Sequence, residues 1–209
     1  MMRMDEFTEE IFTSQLNVSR ETLDIFSVYG ETLAKWQSKI NLISGKTIDD
    51  VWKRHFLDCA QLHSLLPSGT KSILDIGSGA GFPGLVLAVM GVKNVTLVDA
   101  DSKKCLFLSE VVRRTGKHAK IVNCRIEEFN GGYFDIITAR ALAPMDKLLS
   151  YINPHFGPRT KGIFLKGEQL DRELTKVKKQ WKLKYKTIPS ITSEGGSIII
   201  VEKMSSGSG

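Results

Sequence analysis

The 209-residue chain has little cysteine, no metal-binding spacing and no long apolar run, and each shortage removes a class of protein. Cys59, Cys105 and Cys124 are odd in number, far apart and without a Cys-x-x-Cys pair, which excludes a disulfide framework, a dithiol redox motif and a zinc knuckle. We read them as reduced. His55, His63, His118 and His155 show no short His or Cys/His spacing that would set two ligands on one face, so no metal is expected. The longest apolar runs, residues 84–92 and 197–201, fall well short of the roughly 18 residues of a membrane span. The first residues, Met1-Met2-Arg3-Met4-Asp5-Glu6, carry early acids that do not suit a signal peptide. A cytoplasmic protein with no membrane partner is expected.

With 42% hydrophobic and 25% charged residues, the composition is that of one soluble globular domain with a short extension. The net charge is +6, and nine basic residues against Glu168, Asp171 and Glu173 place all of it between Lys161 and Lys186. Within that segment Trp181 and Tyr185 interleave with Lys182, Lys184 and Lys186, a pattern that suits a polyanion surface. The same pattern also describes a solvated helix end followed by a lysine-protected sheet edge.

Ser19 predicts the cap of a helix whose apolar stripe is Leu23, Phe26, Leu33, Trp36 and Ile40. Thr47 with Asp50 reads as a capping box opening a second helix through Val51, Phe56, Cys59 and Leu62, ended by Pro67-Ser68-Gly69. From Lys71 the pattern changes. Strands are expected at 72–76, 95–99, 119–123, 134–139 and 162–166, with helices at 82–90, 102–116, 145–153 and 168–179 between and after them. Such alternation predicts an α/β, doubly wound, mostly parallel sheet with right-handed crossovers. Two further strands, 182–188 and 197–202, are expected to form an antiparallel pair. The expected organisation is a helical extension over 1–70, a catalytic domain over 71–203 and a disordered or added small polar tail over 204–209.

The most informative stretch is Ile73-Leu74-Asp75-Ile76-Gly77-Ser78-Gly79-Ala80-Gly81-Phe82-Pro83-Gly84, a strand entering a glycine-rich turn and then a helix. Gly77, Gly79 and Gly81 remove side chains where the backbone must turn sharply and approach a ligand. Gly79, Gly81 and Gly84 also match a Gly-x-Gly-x-x-Gly dinucleotide loop. Asp75, placed at the mouth of the loop, would repel a pyrophosphate while suiting an ammonium and a sulfonium. Phe82 and Pro83 stand where a pyrophosphate turn wants small residues. The ligand inferred is S-adenosylmethionine. Asp99 closes the next strand, where a carboxylate can accept ribose hydroxyls, a role that fits NAD equally. Ile126 and Glu127 follow the third strand and read either as a wall and acceptor for adenine or as an exposed acidic loop.

At the end of the fourth strand the chain reads Thr138-Ala139-Arg140-Ala141-Leu142-Ala143-Pro144, not Asn-Pro-Pro-Tyr, which disfavours methylation of an exocyclic amine. Nor is there a Pro-Cys nucleophile for carbon methylation. An acceptor that is already nucleophilic remains, such as the unprotonated N7 of guanine, for which alignment and water exclusion replace a general base. Small-molecule acceptors stay open at this point. Arg140 is the candidate catalytic residue, able to hold a methionine carboxylate, a phosphate or guanine O6, unless it forms a surface ion pair with Asp135 or Glu127. Arg54 and Asp58, four apart on a helix, can pair with each other, leaving His55 as a satisfied structural histidine.

From about Glu31 to Lys203 these residues resemble the bacterial small-subunit ribosomal RNA guanine-N7 methyltransferases, also called glucose-inhibited division protein B. The matching stretches are Lys35-Trp36, Asn41-Leu42, Arg54-His55, Leu57-Asp58, the loop from Asp75 to Gly84, Asp99, the run Arg125 to Phe129, Arg140-Ala141 and Lys166-Gly167. The resemblance implies a Rossmann-like class I methyltransferase with a seven-stranded sheet, acting on a guanine of 16S ribosomal RNA, free or in the small ribosomal subunit; a monomer is expected. It implies cofactor contacts from Gly77, Phe82, Ile126, Glu127 and Arg140, with the ribose near Asp99, and makes Arg54, His55 and Lys166 candidates for the RNA-facing side. Ile43-Ser44 and Cys59 depart from the usual residues of the family, away from the loop.

Overall fold

The structure, a computed structural model, describes residues 9–207. Seven strands form one sheet: β1 (Ile73–Ile76), β2 (Val95–Asp99), β3 (Lys120–Asn123), β4 (Ile136–Arg140), β5 (Lys161–Lys166), β6 (Trp181–Pro189) and β7 (Ser197–Ser206). Their spatial order is β3-β2-β1-β4-β5-β7-β6. The pairs from β3 through β5 are parallel, and β7 is antiparallel to both β5 and β6. This is the doubly wound sheet that the alternation of strands and helices predicts.

The central strands are buried on both faces, which is why they read as continuous apolar runs rather than alternating ones. Every residue of β1 and β2 is buried. One core holds Phe26, Leu33, Phe56 and Leu62 of the N-terminal helices together with Leu85, Val86, Phe107, Leu108 and inward residues of the sheet. The opposite face buries Leu148, Leu149 and Ile152 of helix Met145–Ile152 and Leu174 and Val177 of helix Leu170–Val177. The helices therefore make a three-layer sandwich, and the N-terminal extension shares a core with the sheet.

Local chemistry sets the helix ends. Ser19 accepts from the Thr22 N–H at the start of helix Arg20–Gln37. Asp101 accepts from the Lys103 and Lys104 N–H groups, and Gly116 ends helix Ser102–Thr115 in the left-handed region that its missing Cβ permits.

Two expectations need correction. The segment after Thr47 is not one regular helix opened by a capping box: Trp52–Leu57 is a widened π-type turn, Asp58–Ala60 is α-helical and Gln61–Leu65 tightens to 3-10. Thr47 bonds Ser44 and His55 instead of a helix N-terminus. Nor do residues 204–206 belong to a disordered tail. Met204, Ser205 and Ser206 pair with Leu183, Lys182 and Trp181, because β6 offers a free edge and Met204 packs on the second core. Ser208 and Gly209 lie outside the described residues.

Among the described residues no helix is long and apolar enough to cross a membrane.

Candidate active site

In an open α/β sheet the ligand crevice lies beyond the carboxyl ends of the strands, where the strand order reverses. Here β1 has β2 on one side and β4 on the other, so the reversal falls between Gly77 and Arg140. The loop after β1 is held by its own backbone: Gly77 and Ser78 donate to Val98 O at 2.9 and 3.1 Å, and Gly81 donates to Ser78 O at 2.7 Å. Gly77, Gly79 and Gly81 have φ of +64°, +56° and +89°, a conformation that other residues enter only with strain. The Leu142 side chain crowds Gly77, while the buried Tyr29 hydroxyl crowds Gly81 and donates to Ala80 O.

Asp99 lies beside this loop. Its Oδ2 accepts from Gly79 N–H at 2.7 Å and its Oδ1 from Asp101 N–H at 2.9 Å, which ties the end of β2 to the glycine turn. Ile126 and Glu127 lie on the short 3-10 turn Ile126–Glu128, with Ile126 half-buried and Glu127 exposed.

Asp75 is not at an open mouth. It is fully buried beneath the loop, where Thr138 donates to Oδ1 at 2.7 Å and a Cβ on Gly84 would come within 2.5 Å of the Asp75 Cβ. Its Oδ2 is buried with no hydrogen-bond partner. Burial raises its pKa to about 6, against the opposing pull of hydrogen bonds from Thr138 and Ser78. β1 is central and Gly84 folds back over Asp75, so this side chain meets packed protein, not solvent.

Arg140 ends β4 and gathers the other predicted residues. Its Nη2 donates to His55 Nδ1 at 2.9 Å, and its Nη1 reaches Arg54 O at 3.2 Å and Asp58 Oδ2 at 3.4 Å. The guanidinium lies over the Phe82 ring at 4.6 Å, and His55 stacks on the same ring at 5.1 Å and 20°. Phe82 itself is 3% exposed and also stacks on Tyr29, so its ring forms the floor beneath Arg140. The ion pair with Asp135 or Glu127 does not form. Asp135 instead accepts from the Lys71 and Ser72 N–H groups. The pairing of Arg54 with Asp58 is also absent: Asp58 turns toward Arg140 and Thr192, and Arg54 is exposed with no ion pair among the described residues.

Past Arg140 the chain turns through Ala141 at φ +53°. Lys166 at the end of β5 anchors this turn, donating to Ala143 O at 3.0 Å and pairing with Glu173 at 2.7 Å. Glu173 in turn accepts from Met145 N–H at 2.9 Å. Lys166 is thus drawn inward, which its position in the sequence does not reveal. A cleft of about 870 Å³ opens here, lined by Arg54, Arg140, Leu142, Lys166, Glu168 and Thr192 among others. The contribution of Ser190, Thr192 and Ser193 from the loop between β6 and β7 carries no sequence signal, because it depends on how the last two strands return. Among the described residues no group of three or more His, Cys, Asp or Glu is placed to hold a metal ion.

The fold has many solved counterparts. An O-methyltransferase from Bacillus cereus in complex with SAH superposes with TM-score 0.60 at 14% identity, covering 93% of this chain and 96% of that one. A mutant of MtNAS in complex with S-adenosylmethionine gives 0.59 at 16% identity, covering 94% and 84%. At such identities the likeness establishes the fold. Sequence relatives are nearer: the ribosomal RNA small subunit methyltransferase G of Paramagnetospirillum magneticum is 45% identical over 95% of this chain and 97% of its own length. That of Rhodospirillum rubrum is 44% identical over 92% and 96%. Residues 22–198 match the family described as GidB, rRNA small subunit methyltransferase G. With that match spanning the glycine loop, Arg140 and Lys166, the chain belongs to the GidB family of rRNA small subunit methyltransferases.

Proposed function

We propose that this chain transfers a methyl group from S-adenosylmethionine to N7 of a specific guanine in 16S ribosomal RNA, presented free or in the small ribosomal subunit. The observation that carries this reading is an open cleft beyond β4 and β5 whose lining residues Arg140 and Leu142 also touch the glycine loop, Arg140 over Phe82 and Leu142 against Gly77. The residues present fit the cofactor. Gly79 leaves open backbone, with only Gly77 O within 4 Å of where a Cβ would stand, Asp99 beside it can accept from a ribose, and Ile126 with Glu127 after β3 can wall and accept from an adenine. Asp75, buried beneath the loop, does not face this ligand, and the choice of a sulfonium cofactor over a pyrophosphate rests on the family match instead.

When bound, S-adenosylmethionine supplies an electrophilic methyl group on a sulfonium sulfur. The acceptor N7 has an in-plane lone pair and no proton, so no residue need act as a base. The work of the chain is alignment and exclusion of water. Arg140, fixed on Phe82 and by His55, offers a guanidinium to the methionine carboxylate or to guanine O6 and is our catalytic residue. Arg54, exposed at the rim, meets phosphate; His55 and Lys166 shape the RNA-facing wall through Arg140 and the Ala141–Pro144 turn. The protein acts as a monomer in the cytoplasm.

The test is incubation with labelled S-adenosylmethionine and small subunits from cells lacking this activity, with the product mapped by digestion and mass spectrometry. One N7-methylguanine is expected. Label elsewhere, or none while cofactor binding is intact, would overturn the reading.

A further inference from the structure

Asp58 is a carboxylate that the proposed chemistry leaves unused, yet it makes more polar contacts than any residue that chemistry employs directly. Its side chain is 17% exposed. Oδ1 accepts from Thr192 Oγ1 at 2.6 Å, Gln61 Nε2 at 3.2 Å and Ser190 Oγ at 3.4 Å, while Oδ2 faces Arg140 Nη1 at 3.4 Å. Gln61 reinforces the first side, accepting from Ile191 N–H at 3.1 Å and donating to Ser190 Oγ at 3.1 Å. The segment 190–196 is closed on itself by Ser190 N–H to Gly196 O at 2.9 Å, and Ser190, Thr192, Ser193 and Gly196 line the cleft. One carboxylate therefore touches three chain segments more than 50 residues apart: its own helix, the end of β4 and the β6–β7 loop.

We propose that Asp58 is a positioning residue that locks the Ser190–Thr192 wall of the acceptor cleft to the Arg140 guanidinium. This rests on the reading of the cleft as the acceptor site. A charge shared between donors on both sides holds each in one geometry, and alignment is the main thing this reaction asks of the protein. The two sides are separable. In Asp58→Asn the amide oxygen still accepts from Thr192 and Gln61, but its NH₂ faces Arg140, which can only donate. Thr192→Val, nearly isosteric, releases the wall alone. Asp58→Ala releases both.

The experiment measures kcat and KM for small subunits together with amide hydrogen exchange across 190–196. Asp58→Ala is expected to lower kcat/KM roughly 10- to 100-fold, the cost of a misplacement of about 1 Å, and to speed exchange in the loop. Thr192→Val speeds exchange and raises KM at little change in kcat; Asp58→Asn keeps exchange slow and lowers kcat. Wild-type exchange in Asp58→Ala overturns the lock, as does activity that falls in all three only in proportion to lost thermal stability. If the wild type methylates no subunit, the acceptor reading falls, and the exchange data still decide whether Asp58 holds the loop.

Discussion

Acidification should expose His55 as a group that the native fold refuses to protonate. A guanidinium only donates, so the 2.9 Å bond from Arg140 Nη2 requires a bare Nδ1 and puts the ring proton on Nε2. That nitrogen donates to Thr47 Oγ1 at 2.8 Å, and the Thr47 hydroxyl donates to Ser44 O at 2.9 Å. A second ring proton would point at a cation. Burial, then Arg140 and Arg54, lower the His55 pKa to about 3. The unfolded chain takes up its proton near pH 6.5 while the native chain does not, so stability from this group is full above that value and is lost as pH falls toward 3. At about 1.4 kcal/mol per pH unit, the loss between pH 8 and pH 5 is about 2 kcal/mol. Asp75 works the other way. Its pKa is raised to about 6, so its ionisation costs stability as pH rises toward that value, and acidification over the same range returns about 1.4 kcal/mol. Wild type alone would show mostly cancellation. Urea unfolding of wild type and His55→Gln at both pH values isolates the histidine: the wild type should lose about 2 kcal/mol more than the variant. Curves parallel to within about 0.5 kcal/mol would refute the bare Nδ1 and the hydrogen-bond chain built on it.

Gly84→Ala should destabilise by about 1–3 kcal/mol, since its Cβ would meet Asp75 at 2.5 Å and Leu97 at 2.6 Å in a closed interior; thermal unfolding would fall by several degrees, and an unchanged midpoint would contradict that packing. Glu173→Gln keeps an acceptor for Met145 N–H but removes the charge opposite Lys166, with an expected cost of about 1–3 kcal/mol and a loosened Ala141–Pro144 turn, checked by denaturant titration and amide exchange. Replacing Lys182, Lys184 and Lys186 by Ala should lower the log–log salt slope of RNA binding by roughly 0.7–0.9 for each lysine that meets a phosphate. An unchanged slope would make this face merely solvated.

The glycine loop, the strand alternation and Arg140 are legible from the residues because their signals are local. Three glycines spaced around a turn, apolar runs of strand length and a charged residue closing a buried strand each declare themselves within a dozen positions. Asp75 falls in the strand that the pattern predicts, but its surroundings do not follow from that pattern, since its burial depends on Gly84 folding back over it. The Arg54–Asp58 pair follows from regular helical spacing, and the π-type turn at Trp52–Leu57 replaces that spacing with one no local pattern announces. Lys166 stands beside the site as its motif implies, yet its partner Glu173 lies beyond an intervening turn that has to close first.

Local order along the chain was therefore enough to specify the sheet, the cofactor turn and the class of chemistry, because backbone conformation and apolar periodicity act over a few residues. Which charged groups face one another was decided only in three dimensions. Asp58 meets Thr192 across 134 positions, His55 meets Arg140 across 85 and Tyr29 reaches Ala80 across 51. Such pairings depend on the return path of β7 and the seating of the N-terminal helices on the sheet, and a buried polar group takes whichever partner packing brings within reach.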